Sequence, residues 1–311
     1  MFDYEAKSKF QAETVKLLIN HGADVTAQDE SFRTPLHMAA SLGSTKTVQL
    51  LIEHGADVTA QDRSKKTPLH LTFSDVSFIT GSLLIWRRLD SNGQFDRNFM
   101  LDYRYEHSEK VENVRLLIKN GADVKAQDEN HSTPLHMASF SGFPGLVELL
   151  IDHGADVTAR DRRHKTPLHL ASSWVGSRIS LRFIMEYRAD LNGKDSRPGI
   201  FEGCDGDEAS CAMDNTVRLL IEHGADVTAR DESQSTPLHL VSESSLGSGE
   251  VVQLLIEHGA DVTAIDGNRR TPLHLASSRV SAEALQLLIK HELILMDRTR
   301  DSSHSTSDWI V

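Results

Sequence analysis

The chain is short of cysteine, of long apolar runs and of net positive charge, and each shortage removes a class of function. Cys204 and Cys211 are the two cysteines in 311 residues, too few for a disulfide framework and suited to a reducing compartment. Apolar runs are brief. Leu83-Leu84-Ile85-Trp86 falls far below the roughly 20 residues that span a bilayer, so no membrane insertion is expected. The opening stretch, Met1 to Lys7, is polar and lacks the apolar core of a signal peptide. With 33 basic against 45 acidic side chains the net charge is −12, which argues against direct binding to nucleic acid or anionic membrane. Signatures of catalysis are missing as well: there is no glycine-rich phosphate loop followed by Lys-Ser/Thr, no Gly-x-Ser-x-Gly and no His-Glu-x-x-His. The expectation is a cytoplasmic or nuclear, non-enzymatic chain with no catalytic, cofactor or metal site. Hydrophobic residues at 39% and charged residues at 25% suit an ordinary soluble fold.

What the chain has is repetition. Thr-Pro-Leu-His begins at Thr34, Thr67, Thr133, Thr166, Thr236 and Thr271, with gaps of 33, 66, 33, 70 and 35 residues. Gly-Ala-Asp begins at Gly22, Gly55, Gly121, Gly154, Gly224 and Gly259, always 12 residues before the next Thr. The double gaps read as degraded repeats. Leu83 to Asp90 lies in register with Leu50 to Asp57, and the segment from Met100 recovers the pattern at Val114, Leu116, Leu117 and Gly121. The 70-residue gap splits around Gly203. The count is nine units, at about 1–33, 34–66, 67–99, 100–132, 133–165, 166–202, 203–235, 236–270 and 271–303, with a tail at 304–311. The first is partial, with its first helix missing at 1–10, and the last replaces Gly-Ala-Asp by Glu292-Leu293-Ile294.

A 33-residue period carrying Thr-Pro-Leu-His-x-Ala resembles the ankyrin-repeat family over nearly the whole chain. The resemblance implies an all-α repeat solenoid in which each unit is helix-turn-helix plus a hairpin-like loop. Local chemistry agrees. Thr34 can cap a first helix and Pro35 needs no backbone partner at its first position. Leu36, Ala39 and Ala40 give a small apolar face, Val48, Leu50, Leu51 and Ile52 form the apolar side of a second helix, and Gly55 suits the left-handed residue that ends it. Helices of two to three turns do not persist alone in water. Stability must come from stacked neighbours, which predicts a curved rod, one monomeric domain over 1–311. Such an array fails first where neighbours match worst, so proteolysis is expected within 91–110 or 196–214.

Histidine raises the question of metal, since there are 16. His37, His70, His136, His169, His239 and His274 occupy one position in successive repeats, and helices stacked about 8–10 Å apart cannot bring such rings within the ~2 Å of one zinc ion that ligation needs. The resemblance implies a structural role, bonding locally to hold the turn. His21, His54, His153, His223 and His258, before the capping glycine, read the same way. Cys204 and Cys211 match no zinc spacing and Asp205, Asp207 and Glu208 complete no calcium loop. Asp57 and Asp62 recur as loop framework, not as an acid–base pair.

Residues just before Thr-Pro-Leu-His vary most from repeat to repeat, and the resemblance implies that these loop tips and the first-helix surfaces form a concave recognition face. The candidate partner-binding residues are Phe32, Arg33, Lys65, Lys66, His131, Phe140, Arg160, Arg162, Arg163, His164, Lys165, Trp174, Gln234, Arg269 and Arg270. Aromatic and arginine side chains are the usual interface anchors, and they are densest over 127–174. The six tips hold nine Lys/Arg and three Glu, which suits an acidic peptide or protein surface. The leading expectation is an adaptor or scaffold. The alternative is a regulatory or targeting segment of a larger protein, such as a recruiter for a modifying enzyme.

Overall fold

The computed structural model describes residues 2–42, 44–73, 109–174, 208–243, 249–279 and 282–304. They form helices Phe2–Asn20 (α1), Pro35–Leu42 (α2), Thr45–Glu53 (α3), Pro68–Leu71 (α4), 109–119 (α5), Pro134–Ser141 (α6), Pro144–Asp152 (α7), Pro167–Trp174 (α8), Glu208–Glu222 (α9), Pro237–Glu243 (α10), Gly249–Glu257 (α11), Pro272–Arg279 (α12) and Ala282–His304 (α13). No strand occurs among the described residues. The register of Leu83 to Asp90, residues 91–108 and 196–207 of the two expected cleavage stretches 91–110 and 196–214, Cys204 and the tail from 305 lie outside the description, as does the side chain of Cys211.

Each first helix starts at the proline of Thr-Pro-Leu-His, whose missing N–H coincides with an orphan donor of the first turn. Leu36, Ala39 and Ala40 of α2 are buried, as are Val48 and Leu51 of α3, so the two helices seal each other's apolar faces. The second helix stops where Gly takes φ of 85° to 92° at all six Gly-Ala-Asp copies. Gly55 N–H then donates to Ile52 O (3.0 Å) and Ala56 N–H to Leu51 O (3.0 Å), satisfying carbonyls that the helix leaves open. Where Glu292 replaces the glycine, α13 runs on to His304. At the other end α1 is one helix throughout Phe2–Asn20, so residues 2–10 continue the second helix of the first unit and form no separate first helix.

The helices gather into two compact units, Met1–Ser141 with Gly145–Asp156, and Gly142–Pro144 with Val157–Val311. In the first unit α2 packs on α4 and α4 on α6; in the second α8 packs on α10 and α10 on α12. Each unit joins its repeats by the same two bonds. One links loop to loop: Arg63 N–H donates to Ser31 O at 2.8 Å. The other runs from the histidine: His37 Nε2 lies 3.0 Å from Lys66 O.

Across both long gaps the described loops are joined by the same two bonds. In the first unit Glu129 N–H donates to Ser64 O (2.8 Å) and His70 Nε2 lies 3.1 Å from Ser132 O. In the second, Glu232 N–H donates to Arg163 O (2.8 Å) and His169 Nε2 lies 3.1 Å from Ser235 O. Among the described residues, then, 67–132 holds one pair (α4, α5) and 166–235 holds one pair (α8, α9). The boundaries expected at 99/100 and 202/203 fall on undescribed residues.

Candidate functional site

The variable tips rest on a constant frame built from one aspartate. Asp62 Oδ1 accepts the N–H groups of Ser64 and Lys66, both at 2.8 Å, while Asp62 N–H donates to Lys66 O (2.9 Å). Asp29, Asp128, Asp161 and Asp266 make the same pair of carboxylate bonds, and Asp231 bonds Ser235 N–H. The Arg33 backbone N–H, chief among several donors, holds the Asp29 carboxyl below its ordinary range. Burial works to raise that of Asp266, and bonds from Arg270 and Asn268 outweigh it. The preceding aspartates serve a second turn: Asp57 Oδ1 takes the N–H (2.8 Å) and hydroxyl (2.7 Å) of Thr59. These carboxylates are spent on backbone, in the framework role expected of Asp57 and Asp62.

This frame forces the loop apex into the left-handed region. Phe32, Lys65, His131, His164, Gln234 and Arg269 have φ between 58° and 61°, where a residue with a Cβ is strained. All six are exposed, and all six are among the predicted recognition residues.

The other predicted residues have varied surroundings. In the first unit Arg33 pairs with Asp29 at 2.9 Å, Lys66 lends its backbone to the frame, and Phe140 stands half-exposed on α6. In the second, Arg270 pairs with Asp266 at 2.8 Å, Lys165 N–H is held by Asp161, and Arg162 and Arg163 are exposed. Arg160 Nη1 reaches Arg230 O at 3.4 Å. Trp174 closes α8, and its side chain lies outside the description. The span 127–174 is thus divided between the two units.

Two residues that sequence reasoning passed over also shape the tips. Arg63 lies over the Phe32 ring, 5.6 Å from its centroid, and donates to Glu30 O at 2.8 Å. Arg230 donates to Ile265 O at 2.7 Å and to Gln234 O at 3.2 Å. Arg230 fills the place that Arg160 fills one repeat earlier, a parallel open to inspection in the sequence. Arg160, His164, Arg230, Asp231, Glu232 and Gln234 line an open cleft of about 320 Å³. Its mixture of guanidinium and carboxylate groups can bind a polar side chain.

Four of the repeated histidines, His37, His70, His169 and His239, are occupied at both ring nitrogens. Thr34 N–H donates to His37 Nδ1 (3.1 Å), with Thr34 Oγ1 at 2.9 Å. Since a backbone N–H can only donate, Nδ1 accepts and Nε2 carries the ring proton that goes to Lys66 O. His70, His169 and His239 repeat both contacts. Burial holds these four rings below the usual imidazole range, against the opposing pull of the carbonyls they bond. A neutral ring with both nitrogens committed has no lone pair to give a metal. His21, His54, His153, His223 and His258 bond the carbonyl four residues earlier, each at 2.8 Å.

No described helix is long and apolar enough to cross a membrane. Comparison with curated proteins returns no match. Family models for ankyrin repeats match residues 4–75, 104–195 and 209–266, and a second such model matches 244–289. Ankyrin repeats are generally protein–protein interaction modules and typically not enzymes. Period, capping frame and family match agree: this chain belongs to the ankyrin-repeat family.

Proposed function

We propose that this chain is a scaffold that holds an acidic segment of a partner protein on its loop tips and the neighbouring first-helix faces. The observation that carries this reading is the set of six apices. A constant aspartate frame holds each at φ near 60°, where glycine would be strain-free. The chain keeps Phe, Lys, His, His, Gln and Arg there instead. Retained local strain at exposed positions is a mark of function, and side chains that differ on one fixed backbone are what selective recognition requires. Positive charge gathers at 160–165, where Arg160, Arg162, Arg163 and Lys165 outnumber the one acid of that stretch, Asp161, whose Oδ1 accepts backbone N–H groups. That imbalance favours an acidic partner.

The test is affinity capture from native extract with mass spectrometry, comparing the parent chain with an Arg163→Ala/Trp174→Ala variant. A partner bound at the tips is expected to be lost from the variant while its helical circular dichroism is unchanged, and capture is expected to weaken with salt. Equal recovery by a well-folded variant would sink the assignment.

A further inference from the structure

We infer that the cleft between the tips at 160–165 and 230–235 is a carboxylate site, in which the guanidinium groups of Arg160 and Arg230 hold one Asp or Glu side chain of the partner segment. The site rests on the reading of the tips as a surface for an acidic segment, and it gives that segment a fixed point. The residue before the frame aspartate is Gln28, Gln61, Gln127, Arg160, Arg230 and Ile265 in the six copies. The two arginines are neighbours in the stack, since Glu232 N–H donates to Arg163 O at 2.8 Å. With His164, Asp231, Glu232 and Gln234 they line the cleft of about 320 Å³. Ligand pockets run from roughly 300 to 1,000 Å³, so this one has room for a single side chain and its backbone.

Each guanidinium is anchored by one nitrogen and unspent at the others. Arg160 Nη1 donates to Arg230 O at 3.4 Å. Arg230 Nη1 donates to Ile265 O at 2.7 Å and to Gln234 O at 3.2 Å. Nε and Nη2 of both side chains have no partner among the described residues. Neither arginine pairs with a carboxylate there, whereas Arg33 and Arg270 are neutralised by their own frame aspartates, Asp29 and Asp266. A planar fork already fixed at one nitrogen gives up little freedom when its remaining N–H groups close on a carboxylate.

Charge balance sets what the two forks take. Asp231 is buried and its Oδ1 accepts Ser235 N–H, so two guanidinium groups stand against one exposed carboxylate, Glu232. A singly charged, planar carboxylate fits both the balance and the fork geometry. A phosphate dianion would meet added repulsion from Glu232 and Asp231. His164 and Gln234 are the left-handed apices of the two tips, and they offer one polar group from each side to the backbone of the bound segment. The cleft is open, so a chain can run past it and turn in one side chain.

The experiment titrates the full chain with N-acetylglutamate α-N-methylamide at constant ionic strength, read at the arginine Nε–H groups by proton–nitrogen NMR. Exposed charge pairs are weak one at a time, so a Kd on the order of 10 mM is expected, with saturating shifts at Arg160 and Arg230. The glutamine analogue should give none, and the phosphoserine analogue and N-acetylalanine, a chain-end carboxylate, should bind more weakly. Arg160→Gln should weaken binding about fivefold, and Arg230→Lys, which keeps the charge and loses the fork, should weaken it too. Arg218→Gln removes the same charge from an exposed site on α9 that does not line the cleft and should leave the Kd unchanged. No saturable shift up to about 100 mM, equal shifts with the glutamine analogue, tighter binding of phosphoserine or N-acetylalanine, or a Kd indifferent to Arg160→Gln and Arg230→Lys in folded protein would each overturn the site. Those results would leave the scaffold reading standing if capture still depends on Arg163 and Trp174. Loss of that dependence with the glutamate probe still bound would remove the scaffold reading and keep the carboxylate site.

Discussion

A left-handed backbone angle on a residue with a Cβ costs about 1–2 kcal/mol, and this chain repeats it at six apices. Gln234→Gly is therefore expected to raise stability by up to about 1 kcal/mol, read as a higher urea midpoint. A lower midpoint would show that the side chain makes contacts worth more than the strain. Within α10 two buried polar residues predict opposite outcomes. His239 bonds Thr236 at its own helix start and Arg270 O in the next loop, so His239→Ala should cost about 2–3 kcal/mol. Ser242 is fully buried and its hydroxyl has no partner among the described residues, so Ser242→Ala should be neutral or stabilise by up to ~1 kcal/mol. Equilibrium unfolding of both variants checks the pair. The histidine's local bond was legible in the sequence only through the family resemblance carried by Thr-Pro-Leu-His. Its reach to the next repeat was not, since that depends on how the repeats stack.

The individual helices were readable from capping chemistry: Thr-Pro opens each first helix, and glycine at φ near 90° closes each second one but the last. The joining of helices across the long gaps was hidden by a coincidence of length. His37 and Lys66 bond at a separation of 29 residues, His70 and Ser132 at 62, a surplus of 33. An insertion of 33 residues and an added 33-residue repeat look the same to any count of periods. A crosslink between the bonded loops tests which of the two holds. With Ser64 and Glu129 joined through backbone, Ser64→Cys with Glu129→Cys should form a disulfide on mild oxidation, since bridged Cα atoms lie within about 7 Å. Peptide mapping under non-reducing conditions reads the result. Absence of the bridge in folded protein would restore a repeat between them.

Across the whole chain, the buried histidines tie stability to pH. In the folded state His37, His70, His169 and His239 are held below the ordinary imidazole value of about 6.5, so on acidification the unfolded chain takes up protons first. Their contribution is complete above pH ~6.5 and is lost as pH falls from there towards the lowered folded values, with a slope of up to about 1.4 kcal/mol per pH unit for each ring. Urea midpoints at pH 7.5 and 5.5 should show clearly lower stability at 5.5, and His239→Ala should flatten the difference. The direct joining of loops across the gaps bears on this global stability from another side. Closing a chain segment of 62 residues instead of 29 costs only about 0.7 kcal/mol more in loop entropy, because that cost grows with the logarithm of length. That is about a quarter to a third of what one hydrogen-bonded histidine is expected to contribute, so the loop-to-loop register is kept at little cost whether the bonded residues are 29 or 62 positions apart.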